Sequence, residues 1–278
     1  MFFDFFKKLF HRSEENEQKE FYPVHPITGE LSIKCGAIAD KIDKRDFIKE
    51  IEDVNPEYVD LLWGSNFRIT NQNNTNACTG HAMSAFLSAL FYKLKSGNAL
   101  QFNYYYIYYF GRLLSGGTVE KDDGAYLRAT MKAVANYGAI VKEMSSLSSV
   151  YSKPSESEIR NASLLKIREY FRLPSNDIYR AMLYTLVKEK LPVLISLYYN
   201  KKDWDFAKKT GLLVPMTESG SNNSGHAICV YGFDPSDCSF LATNSWGTMW
   251  GNNGYFKISR ESLERDLMDA WTVGYNYF

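Results

Sequence analysis

The chain has 278 residues, which is enough for one large domain or two closely packed halves. Acidic and basic residues balance at 32 each, so no overall electric field draws the chain to nucleic acid, and we expect no nucleic-acid partner. An aromatic content of 15% is typical of an ordered globular protein rather than a disordered one.

The first 20 residues divide into an amphipathic segment and a charged linker. Residues 1–12 would place four apolar side chains on one helical face, namely Phe2, Phe5, Phe6 and Leu9. The segment is too short to span a bilayer, and its central charges do not fit a signal peptide. Two interpretations stay open: a helix that docks on a protein assembly or a membrane surface, and a frayed terminus or helix that packs on its own domain. Residues 13–20 form the linker, and residues 21–54 form an extension that could act as a short pro-region.

The middle of the chain, about residues 67–190, is predicted to be helical. Apolar residues at helical spacing follow a polar loop at residues 71–77, which places Cys78 in the first turn of a helix. Further helices are predicted from Asn103 to Leu114, from Asp122 to Gly138, from a capping box at residues 155–158, and from Asn176 or Asp177 to Lys190.

The last part of the chain, about residues 191–278, is predicted to be a sheet. Short apolar or alternating runs are separated by Gly, Asn and Asp turns at residues 192–197, 227–231, 240–243 and 255–258. Helices followed by strands predict an α+β fold over residues 55–278, with a helical half, a β half and a cleft between them.

Cys78 is the first candidate catalytic residue. The unpaired N–H groups and the positive end of a helix dipole favour a thiolate, so the position predicts a lowered pKa and a nucleophile. The alternative is a small buried residue without chemistry.

The chain has four cysteines, which are Cys35, Cys78, Cys229 and Cys238. They are too scattered along the sequence for a disulfide framework or a zinc site. We therefore expect no metal and no cofactor. Because no signal peptide is legible, we expect a reducing, cytoplasmic or otherwise intracellular location.

A cysteine nucleophile needs a base, and His226 is the candidate among four histidines. It follows Gly225 at the start of a predicted strand and could face Cys78 across the cleft, although a buried structural histidine is the alternative. Asn244 ends a strand and is expected to accept a hydrogen bond from His226 Nδ1, which would turn Nε2 toward the sulfur. The Trp246 indole would keep water from that pair. His81 lies one turn from Cys78 but points along the helix.

These residues together resemble the papain-like cysteine peptidases. The match includes Gln72 six positions before Cys78, the step Gly225-His226-Ala227, and the aromatic and glycine-rich run that begins at Asn244. His226 follows Cys78 by 148 residues and Asn244 by 166, close to the family's spacing. The resemblance covers about residues 55–275.

The resemblance implies a papain-like α+β fold, with an antiparallel β half, and hydrolysis of a peptide or protein substrate. Cys78 would attack the peptide carbonyl, His226 would carry the proton, and Asn244 would orient the histidine. Gln72 would form the oxyanion hole with the Cys78 N–H, and Trp246 would cover the Asn244–His226 hydrogen bond.

Thr75 and Thr79 stand where most eukaryotic members have a disulfide cysteine and a tryptophan. This resembles the bacterial or virus-encoded branches and allows a virion-associated location. A second hypothesis is a structural or binding module that residues 1–12 dock into an assembly. A third concerns regulation: the segment before Asn55 covers the cleft, so truncation to Asn55 would raise peptidase activity.

Overall fold

Five of the seven described α-helices precede residue 191. The computed structural model describes residues 34–95, 99–218 and 224–274, and the interpretations of residues 1–20 lie outside this range. Its α-helices within these residues are α1 (Cys78–Lys95), α2 (Tyr104–Leu114), α3 (Leu127–Tyr137), α4 (Glu156–Ala162), α5 (Ile178–Leu183), α6 (Lys201–Thr210) and α7 (Arg260–Asp266). A π-helical turn, Tyr184–Lys188, extends α5.

The strands form one mixed sheet, mostly from the second half of the chain. They are β1 (Ala37–Ile38), β2 (Val59–Asp60), β3 (Ala125–Tyr126), β4 (Tyr170–Arg172), β5 (Val193–Tyr198), β6 (Leu212–Leu213), β7 (Gly225–Asp234), β8 (Ser239–Thr243), β9 (Tyr255–Ile258) and β10 (Leu267–Val273). The main order is β4-β10-β5-β7-β8-β9-β6, and these pairs are antiparallel except β6 with β9. The observed fold is α+β, as predicted.

Local capping signals predicted several helix boundaries correctly. Helix α1 begins at Cys78, and the Asn103 side chain caps α2 by accepting from two backbone N–H groups. The capping box of Ser155 and Glu158 is present at α4. The predicted start of the third helix is wrong, because Asp122 accepts a hydrogen bond from the Asn76 backbone N–H and α3 begins only at Leu127. Helices α6 and α7 within the β half were not predicted.

Helix α1 lies between the other helices and the sheet. Its side chains from Cys78 to Leu90 are almost all buried, because α2 packs on one side and β7 on the other. The β half has its own core around the indoles of Trp204, Trp246 and Trp250. This arrangement brings the first turn of α1 next to the start of β7.

Residues 34–54 precede the predicted domain and pack against both halves. We call them the strap. Strand β1 lies between β3 and β7, with Ala37 opposite Ala125 on one side and Gly225 on the other. Farther along, Lys49 forms a buried ion pair with Glu189, with 2.8 Å between Nζ and Oε1. The strap is therefore held along its length by the body of the protein.

Candidate active site

Cys78 is fully buried at the start of α1. Its sulfur accepts hydrogen bonds from backbone N–H groups, those of Gly36, Ala37, Thr79 and Ala227. Burial nevertheless raises the pKa of the thiol, because it outweighs these favourable bonds. The predicted lowering of the Cys78 pKa is therefore wrong for the protein with the strap in place.

His226 lies on β7, next in the chain to the Ala227 N–H that reaches the Cys78 sulfur. Its Nε2 lies 2.8 Å from Oδ1 of Asn244, and its Nδ1 has no hydrogen-bond partner among the described residues. The prediction that Nδ1 would face Asn244 is wrong, because the start of β7 presents the other ring nitrogen to the end of β8. Nδ1 is thus the nitrogen left for a reaction.

Burial and the stacked indole of Trp246 determine the protonation state of His226. The rings of His226 and Trp246 stack with centroids 4.3 Å apart, as the predicted position of Trp246 over the pair requires. Burial lowers the pKa of His226 to about 4, despite the hydrogen bond that its Nε2 donates to Asn244. Together with the raised pKa of Cys78, this favours a neutral thiol and a neutral imidazole at pH 7.

Gln72 is fixed by three hydrogen bonds of its side chain. Its Nε2 donates to the carbonyl oxygens of Lys34, at 2.9 Å, and Thr75, at 2.7 Å. Its Oε1 accepts from Oγ of Ser245 at 2.7 Å. Ser245 was not singled out from the sequence, although its place between Asn244 and Trp246 in the matched run was the available signal. The amide donor of Gln72 therefore points to the strap.

The strap passes directly over these residues. The Gly36 carbonyl accepts from the Ala125 N–H at 2.9 Å, and Gly225 pairs with Ala37. A Cβ at Gly36 would lie only 2.0 Å from the Asn76 carbonyl oxygen, so this close approach requires glycine. The strap therefore occupies the groove between β3 and β7 that any ligand of Cys78 would use.

His81 is a buried structural residue in this arrangement. Its Nδ1 lies 2.7 Å from Oγ1 of Thr70, and its ring stacks on Tyr104 at 3.8 Å. Burial lowers the pKa of His81 to about 3. His81 faces Thr70 and not the Cys78 thiol, in agreement with the predicted direction along the helix.

The described residues offer no metal centre. No group of three or more His, Cys, Asp or Glu side chains there could hold a metal ion. The four cysteines are free thiols. In the same part of the chain, no helix is both long and apolar enough to cross a membrane.

Comparisons with known proteins show the family to which the chain belongs. The family model described as papain family cysteine protease matches residues 112–271. An uncharacterized peptidase C1-like protein, L477 of Acanthamoeba polyphaga mimivirus, is 24% identical over 88% of both chains. Papain of Carica papaya is 27% identical over 75% of this chain, which spans 56% of the papain sequence.

The solved structures show the same fold. Xylellain, a cysteine protease from Xylella fastidiosa, superposes with a TM-score of 0.75 over 87% of this chain and 96% of its own, at 24% identity. Bromelain of Ananas comosus, solved with the inhibitor E64, gives a TM-score of 0.61 over 79% of this chain and 99% of its own, at 19% identity. The family match covers more than half of the sequence, and the chain therefore belongs to the papain family of cysteine proteases and is a cysteine peptidase.

Proposed function

We propose that the protein hydrolyses peptide bonds with Cys78 as nucleophile and His226 as its general base. The observation that carries the proposal is the hydrogen bond of His226 Nε2 to Asn244, which leaves Nδ1 unpartnered beside the strand that touches the sulfur. Asn244 can only accept at Oδ1, so Nε2 carries the proton and Nδ1 is the basic nitrogen.

The reaction follows from this tautomer. Nδ1 of His226 takes the Cys78 proton, and the thiolate attacks the carbonyl carbon of the peptide bond. The imidazolium then protonates the leaving amine, which leaves a thioester on Cys78. Water attacks the thioester as it gives a proton to Nδ1, the acid product leaves, and the imidazolium returns the proton to the Cys78 thiolate. Asn244 holds the ring throughout.

The oxyanion is stabilised by donors that are already in place. Gln72 Nε2 donates to the Lys34 carbonyl in this structure, and the Cys78 backbone N–H lies at the start of α1. The Lys34 oxygen thus stands where a substrate oxyanion would accept the same bond. Donors that are oriented before the reaction are among the strongest catalytic elements.

We further propose that the strap keeps the peptidase latent. The strap presents the N–H groups of Gly36 and Ala37 to the sulfur, and the Gly36 carbonyl turns away to Ala125. A thiolate cannot attack an N–H group, so this contact blocks the site without being cleaved. Removal of the strap would rehydrate Cys78 and His226, lower the thiol pKa and raise the imidazole pKa.

The experiment is hydrolysis of an unfolded protein such as casein by the chain after removal of the strap. A site for a sequence-specific protease between Val54, which is partly buried, and Asn55, which is exposed, allows the intact protein to fold before it is cut. We expect cleavage by the cut protein and none by its Cys78→Ala or His226→Ala variants. Cys238→Ala, which changes an exposed cysteine, is the matched control.

Retained hydrolysis in Cys78→Ala would refute the proposal. Loss of hydrolysis with biological function intact would instead favour a binding module, whose dependence on residues 1–12 can then be tested by deletion.

A further inference from the structure

The strap leaves the groove at Asp40, whose carboxylate binds to the body of the protein. Oδ2 of Asp40 accepts a hydrogen bond from the Arg128 backbone N–H at 3.0 Å and one from Trp271 Nε1 at 3.0 Å. Asp40 is 8% exposed, and its own N–H donates to Oδ2 of Asp269 at 2.7 Å. One carboxylate oxygen of Asp40, Oδ2, is therefore held by donors on the body of the protein, whereas Oδ1 is buried without a hydrogen-bond partner among the described residues.

Two arginines surround the same site. The guanidinium of Arg128 binds both oxygens of Asp46 at 2.8 and 2.6 Å, and Arg172 reaches Asp46 at 3.4 Å and also pairs with Asp269. Both guanidiniums lie over the Trp271 ring, 5.6 and 5.7 Å from its centroid. Packing on this indole fixes the position of both cations.

The charges of the site depend on whether the strap is present. With the strap, the guanidiniums of Arg128 and Arg172 pair with Asp46 and Asp269, and the backbone N–H of Arg128 binds Asp40. Without the strap, the arginines face Asp269 alone. The body would then present one excess positive charge together with the N–H groups of Arg128 and Trp271, a set of donors suited to a carboxylate.

The site lies in line with the catalytic groove. Ala37 sits at the Cys78 sulfur and begins β1, and Asp40 is three residues farther along the chain, a distance of at most about 10 Å at strand spacing. An extended peptide that crosses the sulfur would therefore place a side chain at Arg128 about three residues from the bond that is cut, on the side of β3.

We propose that Arg128, Arg172 and Trp271 form a subsite for an acidic side chain of the peptide substrate, which Asp40 of the strap fills in this structure. The proposal rests on the proposed peptidase function and specifies its substrate class. Asp and Glu are the side chains that would fit the subsite, and Lys and Arg are the ones that it would reject.

The test uses the full chain, folded and then cut between residues 54 and 55, with loss of the strap after gel filtration checked by mass spectrometry. Peptides that carry a single Glu, Gln or Lys at each position around the cleaved bond are compared by kcat/KM. We expect Glu to exceed Gln by about tenfold at one position about three residues from the bond, and Lys to be the poorest. Arg128→Gln and Arg172→Gln should each reduce this ratio toward one.

Arg168→Gln is the matched control, because Arg168 is exposed and should leave the ratio unchanged. Equal rates for Glu and Gln at all positions, or a preference that survives both arginine variants, would overturn the subsite. Binding of the Glu and Gln peptides to the Cys78→Ser protein by calorimetry separates the two proposals. A Glu preference in binding to this variant, together with no hydrolysis of any peptide by the cut protein that retains Cys78, supports the subsite and refutes the peptidase function.

Discussion

The backbone carbonyl of Lys34 accepts a hydrogen bond from Nε2 of Gln72 at 2.9 Å, in the place that our mechanism assigns to the oxyanion. Because substrate and strap cannot use this donor together, cutting the chain before Asn55 and removing the strap should raise kcat/KM at least about tenfold. Hydrolysis of a fluorogenic peptide before and after the cut measures the change.

The uncut chain that carries the same cleavage site is the control for the inserted residues. Cut Cys78→Ala protein controls for any activity of the added protease. If the uncut and cut proteins hydrolyse the peptide at the same rate, the strap is not inhibitory.

Alkylation provides a test of the thiol that does not require a substrate. In the intact chain, Cys78 is buried with a raised pKa, whereas Cys238 is exposed, so iodoacetamide should modify Cys238 first. After strap removal the order should reverse at about pH 5.5, because the Cys78 thiol would then be ionised by its pairing with the His226 imidazolium, whereas Cys238 has no such partner in the mechanism. Peptide mass spectrometry gives the two rates.

His226→Ala should abolish the acceleration at Cys78 and leave the rate at Cys238 unchanged. A Cys78 rate that does not change on strap removal would contradict the idea that the strap suppresses an ion pair.

Short-range signals were sufficient for much of the fold. Cys78 in the first turn of α1, the Asn103 cap and the Ser155 capping box each depend on residues within a few positions of one another. The strands of the β half likewise follow from short apolar or alternating runs. The combination of Gln72, Cys78, His226 and Asn244 came from a resemblance, because no local rule connects residues so far apart in the chain.

Long-range contacts explain what the sequence did not predict. The choice of ring nitrogen in His226 depends on how β7 and β8 are aligned, which places Nε2 at Asn244. Ser245 gains its role only because Gln72, 173 residues away, lies beside it. The hydrogen bond between Asp40 and Asp269 spans 229 residues. Such partners are set by tertiary packing, on which periodicity carries no information.

The Asp40–Asp269 contact predicts a pH dependence of strap binding. Burial, followed by the charge of Asp40, raises the pKa of Asp269 to about 7. The charge of Asp40 leaves with the strap while Arg172 and Arg128 stay, so the pKa of Asp269 should fall from this value to the ordinary aspartate value of about 4 or below it. The bound state therefore takes up a proton between these values, and strap binding should weaken as pH rises to about 7 and level off above it.

The contribution of His226 to the pH dependence of strap binding has the opposite sign, because the pKa of His226 is lowered while the strap is bound. The Asp269 contribution is isolated by dividing the dissociation constant of a labelled strap peptide, residues 34–54, for the wild-type body by that for Asp269→Asn. This ratio should rise by up to about tenfold per pH unit between pH 5 and 7. When Asp237→Asn, a change at an exposed turn, replaces Asp269→Asn in this comparison, the ratio of dissociation constants should not rise in this way. A ratio for Asp269→Asn that does not change with pH would refute the linkage.

Gln72 and Ser245 should act as one unit in catalysis. Gln72→Ala removes an oxyanion donor and should lower kcat about 100-fold, whereas Ser245→Ala removes only the hydroxyl that orients the amide and should cost about tenfold. Because Ser245 works through Gln72, adding Ser245→Ala to Gln72→Ala should cause no further loss. Steady-state kinetics of the cut proteins gives kcat and KM for all four forms.

A purely structural role for Ser245 would instead lower the melting temperature and act equally in the presence and absence of Gln72. Ser262→Ala, which removes another buried serine hydroxyl on α7, should leave kcat unchanged. Independent, multiplicative losses in the double variant would show that Ser245 does not act by orienting the Gln72 amide.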